Sequence, residues 1–258
     1  MLEVQGAGQF GSQFAGRVAV ITGAAGMIGS ATARLLAARG ATIVAVDHPR
    51  ADFAALQAAV PGLLCLAADV TDEAAVRAYV ADTLAAHGRI DVFFNNAGIE
   101  GPQAAIPDYP VEQFRRILDV NVTGVFLGLQ AVMPVMQRQG AGAIVNTSSI
   151  AGLVGAPSMA GYITSKHAVL GLTKVAALEG APHGVRVNSV HPGFIDSRML
   201  SDIATRLGGS AADMAGAVPA GRLGTPDEIA RAVAFLASDE ASYMNGAALV
   251  ADGGVVVA

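Results

Sequence analysis

Three residues near the middle of the chain carry side chains that together could move a proton: Ser149, Tyr162 and Lys166. Tyr162 and Lys166 are four positions apart, so on a helix they lie on one face, one turn apart. A phenol titrates near pH ~10, and a fixed ammonium group beside it lowers that pKa, which makes the phenol a usable acid or base. The Ser149 hydroxyl could hold a substrate oxygen beside this phenol. We therefore expect Tyr162 to exchange a proton with a substrate hydroxyl or carbonyl group.

Apolar runs alternate with helical patterns along residues 17–258, without a linker or an internal repeat. Because this alternation is typical of parallel strands joined by helices, it predicts one α/β domain: a Rossmann-type, doubly wound parallel sheet of about seven strands with helices on both faces. Residues 1–16 are polar and rich in Gly and Gln, and we expect a flexible leader there. The predicted strands lie within 17–22, 41–47, 63–69, 90–98, 142–147, 185–190 and 247–254.

Two helical patterns bear on the site. The pattern from Tyr162 to about residue 181 would carry both Tyr162 and Lys166. The other runs from Val111 to Gln139 and contains Pro134. Because proline removes a backbone donor and clashes with the preceding turn, we expect a kink or a break at Pro134.

Composition narrows the classes of partner. With 53% hydrophobic residues, 14% charged residues and a net charge of -5, the chain lacks the basic surface that nucleic-acid binding needs. Cys65 is the one cysteine and the histidines show no ligand spacing, so we expect neither a disulfide framework nor a metal site. No segment has the features of a signal peptide or approaches the roughly 18 apolar residues of a membrane span. We therefore expect no membrane association and a cytoplasmic location.

A glycine-rich turn, Gly23 to Gly29, separates the first predicted strand from a helix. Such a turn lets the backbone approach a pyrophosphate at a helix N-terminus, where free N–H groups and the helix dipole favour anions. Asp47 ends the second predicted strand, where its carboxylate could accept hydrogen bonds from both hydroxyls of an adenosine ribose. The same charge would repel a 2′-phosphate, so the predicted cofactor is NAD rather than NADP.

Taken together, these motifs resemble the short-chain dehydrogenase/reductase family over about residues 17–254. The matching stretches are Thr22-Gly23 through Ile28-Gly29, Asp69-Val70, Asn95 to Gly98, Asn121, Ser149 with Tyr162 and Lys166, Pro192-Gly193, and residues 221–230. The resemblance implies reversible hydride transfer between NAD and a secondary alcohol or ketone. In that reaction Tyr162 would transfer the proton, Lys166 would hold the cofactor ribose, and Ser149 would fix the substrate oxygen.

The resemblance also implies further site residues. Asn121 would help to hold a water molecule that relays protons from Lys166, and it completes the catalytic set with Ser149 and Tyr162. Asp69 and Val70 would flank the adenine, and the residues from Pro192 onward would lie over the nicotinamide. The predicted cofactor contacts are Gly23, Gly26, Met27, Ile28, Asp47, Asp69, Val70, Asn96, Ala97, Gly98, Tyr162, Lys166, Pro192, Gly193, Ile195 and Ser197.

One position departs from the family pattern. Met27 stands where a second glycine is usual, and Gly26 comes one residue early. Gly26 would then supply the close approach to the pyrophosphate, with the Met27 side chain turned over it.

An apolar wall is predicted around the substrate, with Glu100 as the nearest acid. Such a wall suits an uncharged hydrophobic substrate, and the motifs are most similar to family members that oxidise cyclic or aryl secondary alcohols. The segment from about 197 to 220 would form a lid. The predicted substrate contacts are Ser149, Ile150, Val154, Met159, Tyr162, Phe194 and Met199, with Leu153, Pro157, Leu200 and Met214 as further candidates.

Two alternatives stay open at this point. A 3-oxoacyl reductase of fatty-acid synthesis shares the same motifs but generally uses NADPH, and a catalytically silent NAD-binding protein shares the same fold. The helical segments 111–137 and 162–181 carry apolar residues on more faces than one core contact needs. By resemblance they would pair across a two-fold axis in a homotetramer, with residues 255–258 at another interface.

Overall fold

The computed structural model describes residues 12–196 and 210–258. Within them, seven strands form one parallel sheet in the order β3-β2-β1-β4-β5-β6-β7. Most of the strands are short apolar runs, as central parallel strands require because both of their faces are covered, whereas β6 also carries buried polar side chains. The strands are β1 (Val18–Thr22), β2 (Thr42–Asp47), β3 (Leu64–Ala67), β4 (Val92–Asn95), β5 (Gly142–Thr147), β6 (Val185–Pro192) and β7 (Ala248–Ala251).

Helices cover both faces of the sheet, and each face has its own core cluster. The helices are α1 (Met27–Ala38), α2 (Ala54–Ala59), α3 (Glu73–His87), α4 (Val111–Leu118), α5 (Gly124–Gln139), α6 (Ala160–Gly180), α7 (Ala211–Gly216) and α8 (Pro226–Ala237). On one face α3, α5 and α6 pack against the strands, and on the other α1, α2 and α8 do so. The predicted doubly wound α/β fold is therefore confirmed.

The strand order places the functional edge of the sheet. β1 lies between β2 and β4, so the chain leaves β1 and β4 in opposite directions across the sheet. In open parallel sheets, ligands bind outside the carboxyl ends of the strands at such a switch point. The glycine turn follows β1 and the Ser149 segment follows β5, which puts both at this edge.

The long helical pattern is interrupted, but not where the sequence suggested. A π-helical turn, Asp119–Thr123, separates α4 from α5, whereas Pro134 lies inside α5. The predicted division of the helix at Pro134 is wrong, and a kink there stays a prediction. The carbonyl that faces the proline ring belongs to Gln130, which is exposed, so water can take the place of the missing N–H donor.

The same stretch, Val111–Gln139, is long and apolar enough to cross a membrane by length and composition alone. Half of its most apolar window (50%) is buried inside the protein, and α5 packs on the sheet with Val132 and Met136 in the core. Its apolar character therefore has an explanation in the fold, because a helix packed in a core is apolar on several sides.

Residues 12–16, which fall within the expected leader, pack against the domain. Phe14 is fully buried against the second core cluster, and its backbone N–H donates to the Arg39 carbonyl at 2.8 Å. Residues 12–16 thus belong to the domain because they cover the end of α1. Residues 1–11 lie outside the described residues.

Candidate active site

Ser149, Tyr162 and Lys166 meet at the carboxyl edge of the sheet. Ser149 follows β5 and caps a short 3-10 turn, its Oγ accepting from the Ala151 N–H at 3.1 Å. The Ser149 side chain lies close enough to the Tyr162 hydroxyl to lower the pKa of that phenol. One turn along α6, Lys166 Nζ lies 5.5 Å from the centre of the Tyr162 ring. A substrate oxygen beside Tyr162 would therefore also be within reach of the Ser149 hydroxyl.

The protonation of this cluster differs from the sequence-based expectation. Burial raises the pKa of Tyr162 to about 12. The hydrogen-bonding side chain of Ser149 lowers this pKa, and the nearby Glu100 charge raises it further. Burial also lowers the pKa of Lys166 to about 8. The predicted depression of the Tyr162 pKa by Lys166 is wrong for the protein without ligands. Desolvation raises the pKa of Tyr162 by more than the Lys166 ammonium lowers it. That ammonium donates to the Thr147 carbonyl at 3.0 Å.

Asn121 lies in the π-helical turn and is fully buried. Its Oδ1 accepts from the Ile99 N–H at 2.8 Å, and its Nδ2 donates to the Ile99 carbonyl at 2.8 Å and to Ser165 Oγ at 3.0 Å. Both amide hydrogens are thus used within the protein, so the side chain fastens the loop after β4 to α6. The predicted water relay would have to use the backbone of Asn121, and that role stays a prediction.

The glycine turn is closely packed at two positions. Gly23 has a φ of +64, and a Cβ there would lie 3.0 Å from the Ala97 Cα. At Gly29, a Cβ would overlap the Gly23 carbonyl oxygen, so only glycine lets α1 start so close to the turn. Gly26 caps α1, and Met27 is 47% exposed as the first residue of the helix. The Met27 side chain therefore stays clear of the packed part of the turn.

The start of α1 fits a phosphate group. Within the described residues, the first turn of α1 contains no acidic side chain, and the Gly26 cap supplies no side-chain acceptor. The cap and first turn of α1 thus place no side-chain acceptor on the N–H groups of Met27 and Ile28, while the Asp47 carboxylate accepts from the Ala25 N–H just before the helix. Such an end favours an anion, which fits the pyrophosphate of a dinucleotide.

Two carboxylates end the neighbouring strands. Asp47 is half-buried, and its oxygens accept from the Ala25 N–H at 2.9 Å and the His48 N–H at 2.7 Å. Hydrogen bonds from the Thr71 backbone and hydroxyl hold the pKa of Asp69 below its usual range, which keeps it ionised at neutral pH. Both are acceptors in fixed orientations, as recognition of ribose and adenine would need.

A chain of polar contacts joins the glycine turn to the catalytic cluster. Thr22 Oγ accepts from the N–H groups of Asn96 and Ala97, at 2.9 and 3.1 Å. The Asn96 amide donates to the carbonyls of Thr22 and Gly23 and accepts from the Thr147 hydroxyl at 3.0 Å. The ends of β1, β4 and β5 are thus fixed to one another. Gly98 follows, and a Cβ there would lie 3.2 Å from Asn121 Oδ1.

The segment after β6 turns back towards the site. Pro192 is buried, and Gly193 packs against Asp252 so closely that a Cβ would lie 2.6 Å from the Asp252 Cα. The Ile195 side chain is 8% exposed and packs against the second core cluster, and its expected position over the nicotinamide stays a prediction. Ser197 lies outside the described residues.

The structure brings only some of the predicted substrate-binding residues close to one another. Ile150 is buried next to Ser149, whereas the side chain of Val154 is 41% exposed to solvent. Met159 pairs with Ala104, and the Ala104 N–H donates to the Ser158 carbonyl at 3.0 Å, so the loops after β4 and β5 meet beside Tyr162. Val70, from the cofactor set, contacts the start of α5 at Gly124. Phe194 is partly buried, and Met199 and Leu200 lie outside the described residues.

Several polar residues matter here that the motif-based prediction did not assign. Thr22 and Thr147 hold the strand ends, Ser165 accepts from Asn121, and His191 contacts the Ser149 carbonyl. Their signal in the sequence was position, because each lies at a strand end or within the Tyr162 helix. Position alone did not say which partners they would meet.

Comparisons with known proteins agree with this geometry. The family model described as enoyl-(acyl carrier protein) reductase matches residues 23–256. Levodione reductase of Leifsonia aquatica is 41% identical, over 94% of this chain and 95% of that protein. Cyclohexanol dehydrogenase of Acinetobacter sp. (strain SE19) is 40% identical, over 94% and 96%. The crystal structure of NAD+-bound xylitol dehydrogenase aligns with a TM-score of 0.89 at 40% identity, over 93% of this chain and 99% of that chain.

Proposed function

Because this chain belongs to the short-chain dehydrogenase/reductase family, we propose that it is an NAD-dependent oxidoreductase acting on an uncharged, hydrophobic secondary alcohol or ketone. The observation that carries the proposal is the proximity of the Ser149 side chain to Tyr162, with Lys166 one turn along the same helix. These groups lie on the sheet edge that also bears the uncapped start of α1.

Each residue of this cluster has a separate task. Ser149 Oγ donates to the substrate oxygen and holds it beside Tyr162. Tyr162 Oη gives a proton to that oxygen when a ketone is reduced and takes one when an alcohol is oxidised. Lys166 binds the cofactor ribose next to Tyr162. NAD, when bound, supplies or accepts the hydride at its nicotinamide ring.

The choice of NAD is supported by Asp47 and by the NAD+-bound structural relative. The Asp47 carboxylate ends β2 in a fixed orientation, where it can accept from two ribose hydroxyls. A 2′-phosphate at the same place would meet this negative charge. The remaining contacts of the predicted cofactor set, including Ser197, are part of this proposal.

For the substrate, we propose a cyclohexanol-like ring. The names of two relatives, levodione reductase and cyclohexanol dehydrogenase, describe enzymes of cyclic ketones and alcohols. The described wall residues Ile150, Val154 and Met159 are apolar, which suits an uncharged ring. The proposed lid at 197–220, of which residues 197–209 lie outside the described residues, would close over it.

The test is turnover of cyclohexanol with NAD, and of cyclohexanone with NADH, compared with NADP and NADPH. Tyr162→Phe should lose a factor of about 10² to 10⁴ in turnover while it still binds NAD. The matched control is Tyr243→Phe, because Tyr243 is fully exposed and should change nothing. Turnover of a 3-oxoacyl thioester with NADPH but of no cyclic alcohol would favour the alternative reductase, and absence of any turnover would favour a silent NAD-binding protein.

We further propose a homotetramer in the cytoplasm. Phe126 on α5 and Val175 and Leu178 on α6 are exposed apolar side chains, and Leu178 is 78% exposed. Helices that place such residues in water suit pairing with a second copy. Light scattering on the purified protein would measure the mass of the particle, and a monomer would contradict this proposal. Cell fractionation would test the location.

A further inference from the structure

His191 is a fully buried residue at the end of β6, and the proton-transfer scheme above does not use it. Its Nδ1 lies 2.8 Å from the Ser149 carbonyl oxygen. Its Nε2 lies 2.8 Å from Ser189 Oγ. Both ring nitrogens therefore have partners, and one of these partners is the main chain of the residue that binds the substrate oxygen.

The chemistry of these partners fixes the state of the ring. A carbonyl oxygen only accepts, so Nδ1 must carry the hydrogen and donate to Ser149. Burial lowers the pKa of His191, which favours a neutral ring whose Nε2 accepts. The Ser189 hydroxyl has one hydrogen and two acceptors within reach, Nε2 at 2.8 Å and the Ala247 carbonyl at 3.3 Å, and we assign the hydrogen to the shorter contact. Ser189 in turn is fixed in the sheet, where its N–H donates to the Ala247 carbonyl at 2.9 Å. The ring is thus held in one tautomer and one orientation.

Ser149 is held through its main chain and its side chain by adjacent residues of β6. His191 donates to its carbonyl, which also accepts from the Gly152 N–H at 2.9 Å. The next residue, Pro192, presents its carbonyl to Ser149 Oγ at 3.5 Å, a long contact. Because the Ser149 carbonyl takes two donors, the peptide plane after Ser149 cannot rotate freely. With Ser149 extended at φ -169 and ψ 167, that plane and these dihedral angles together set the direction in which the Ser149 side chain leaves the backbone.

We propose that His191 is a positioning residue: its Nδ1–H holds the Ser149 carbonyl so that the Ser149 hydroxyl faces Tyr162. The inference rests on the proposed function, because its main effect is on turnover. His191 does not touch the substrate in this scheme, and it acts only through Ser149. Loss of the Nδ1 donor should therefore affect the step that uses Ser149 and leave cofactor binding alone.

Two variants distinguish the effect of the Nδ1–H donor from the effect of the volume of the imidazole ring. His191→Leu removes the donor but keeps an apolar side chain of similar size. His191→Asn places an amide N–H where Nδ1–H was. We expect His191→Leu to lower kcat by about 10- to 100-fold, because small misplacements of a substrate-binding group cost about this much. His191→Asn should recover most of the loss, and the Kd for NAD should change by less than about twofold in both.

The decisive comparison is a double-mutant cycle with Ser149→Ala. If His191 acts through the Ser149 hydroxyl, His191→Leu should have no further effect on kcat once that hydroxyl is gone. Equal losses in both backgrounds would overturn the proposal, as would a failure of His191→Asn to recover activity while it folds like the wild type. Thermal unfolding followed by circular dichroism checks the fold of each variant.

A second measurement does not depend on turnover. In a crystal structure of His191→Leu, the Ser149 carbonyl should rotate and Ser149 Oγ should no longer contact Tyr162. An unchanged Ser149 would overturn the positioning role even if the wild type oxidised no alcohol. Should His191→Leu fail to fold, Ser189→Ala tests the same arrangement, because the ring then loses its Nε2 partner and should hold Ser149 less tightly. Wild-type behaviour of a folded Ser189→Ala in both readouts would count against the proposal.

Discussion

Lys166 Nζ lies 5.5 Å from the centre of the Tyr162 ring and donates its hydrogen bond to the Thr147 carbonyl. Both side chains are desolvated, so the pKa of the phenol rises to about 12 and the pKa of the amine falls to about 8. Tyr162 is thus a phenol that holds its proton at neutral pH. In the protein without ligands, the cluster is prepared to give a proton to a ketone.

This state predicts different pH profiles for the two directions of the reaction. Oxidation needs the phenolate, so kcat/KM for an alcohol should rise by about tenfold per pH unit from pH 6 towards pH 8. Reduction uses the protonated phenol, which is already the dominant form, so kcat/KM for the ketone should stay level over the same range. Initial rates in both directions between pH 6 and 9.5 measure this. Reduction that rises with pH would contradict the assignment of Tyr162.

The buried charge of Lys166 should lower the free energy of unfolding of the protein. Lys166 is 4% exposed, and the fall of its pKa from 10.5 to about 8 corresponds to about 3 kcal/mol of unfavourable charge burial. Because the folded-state pKa is the lower one, the full cost is present below pH 8 and is relieved as pH rises towards 10.5. Lys166→Met should therefore be more stable at pH 7 by about 1–3 kcal/mol, after the lost bond to Thr147 is subtracted.

Urea unfolding at two pH values tests this. The stability difference between Lys166→Met and the wild type should shrink by roughly 2 kcal/mol between pH 7 and pH 9.5. Lys174→Met is a suitable control, because Lys174 is exposed on the same helix. A difference that is constant with pH, or a destabilised Lys166→Met, would mean that the ammonium is better solvated than its burial indicates.

The sequence could predict what is local, and the structure adds what depends on packing. The strands and the Tyr162–Lys166 spacing follow from periodicity and from a short motif, so both were accessible from residue types alone. The π-helical turn at Asp119–Thr123 was not, because Asn121 is fastened to the backbone of Ile99 in another segment. The direction of the Tyr162 pKa shift also needed the fold, since desolvation depends on everything that surrounds the hydroxyl.

Met27 and Gly29 should respond very differently to substitution by alanine. The Met27 side chain is 47% exposed at the start of α1, and its main-chain N–H remains in Met27→Ala. We expect this variant to fold normally and to change the Kd for NAD by less than about threefold, because the anion contact is a backbone contact. A large loss of affinity would show that the side chain itself covers the pyrophosphate.

Gly29→Ala is the matched variant two residues further along α1. Its Cβ would overlap the Gly23 carbonyl oxygen and approach the Ala24 Cα at 2.9 Å, so α1 or the turn must shift. Overpacking of this kind should cost about 1–3 kcal/mol of stability and weaken NAD binding at the same time. Thermal unfolding and calorimetric titration with NAD measure both. Unchanged stability would mean that the turn can relax without loss.

Asp47 should decide between the two nicotinamide cofactors. Its oxygens already accept from Ala25 and His48, which fixes the carboxylate relative to the glycine turn. Asp47→Asn keeps an acceptor oxygen for one of these donors but removes the charge. The ratio of kcat/KM for NAD to that for NADP should then fall by at least about tenfold, because the repulsion of a 2′-phosphate disappears and a charged acceptor for the ribose is lost. Asp52→Asn, three residues beyond the turn at Pro49, is the control for a general change in surface charge. If the ratio were unchanged in Asp47→Asn, the ribose would not lie against Asp47. The choice of NAD over NADP would then have to depend on other residues.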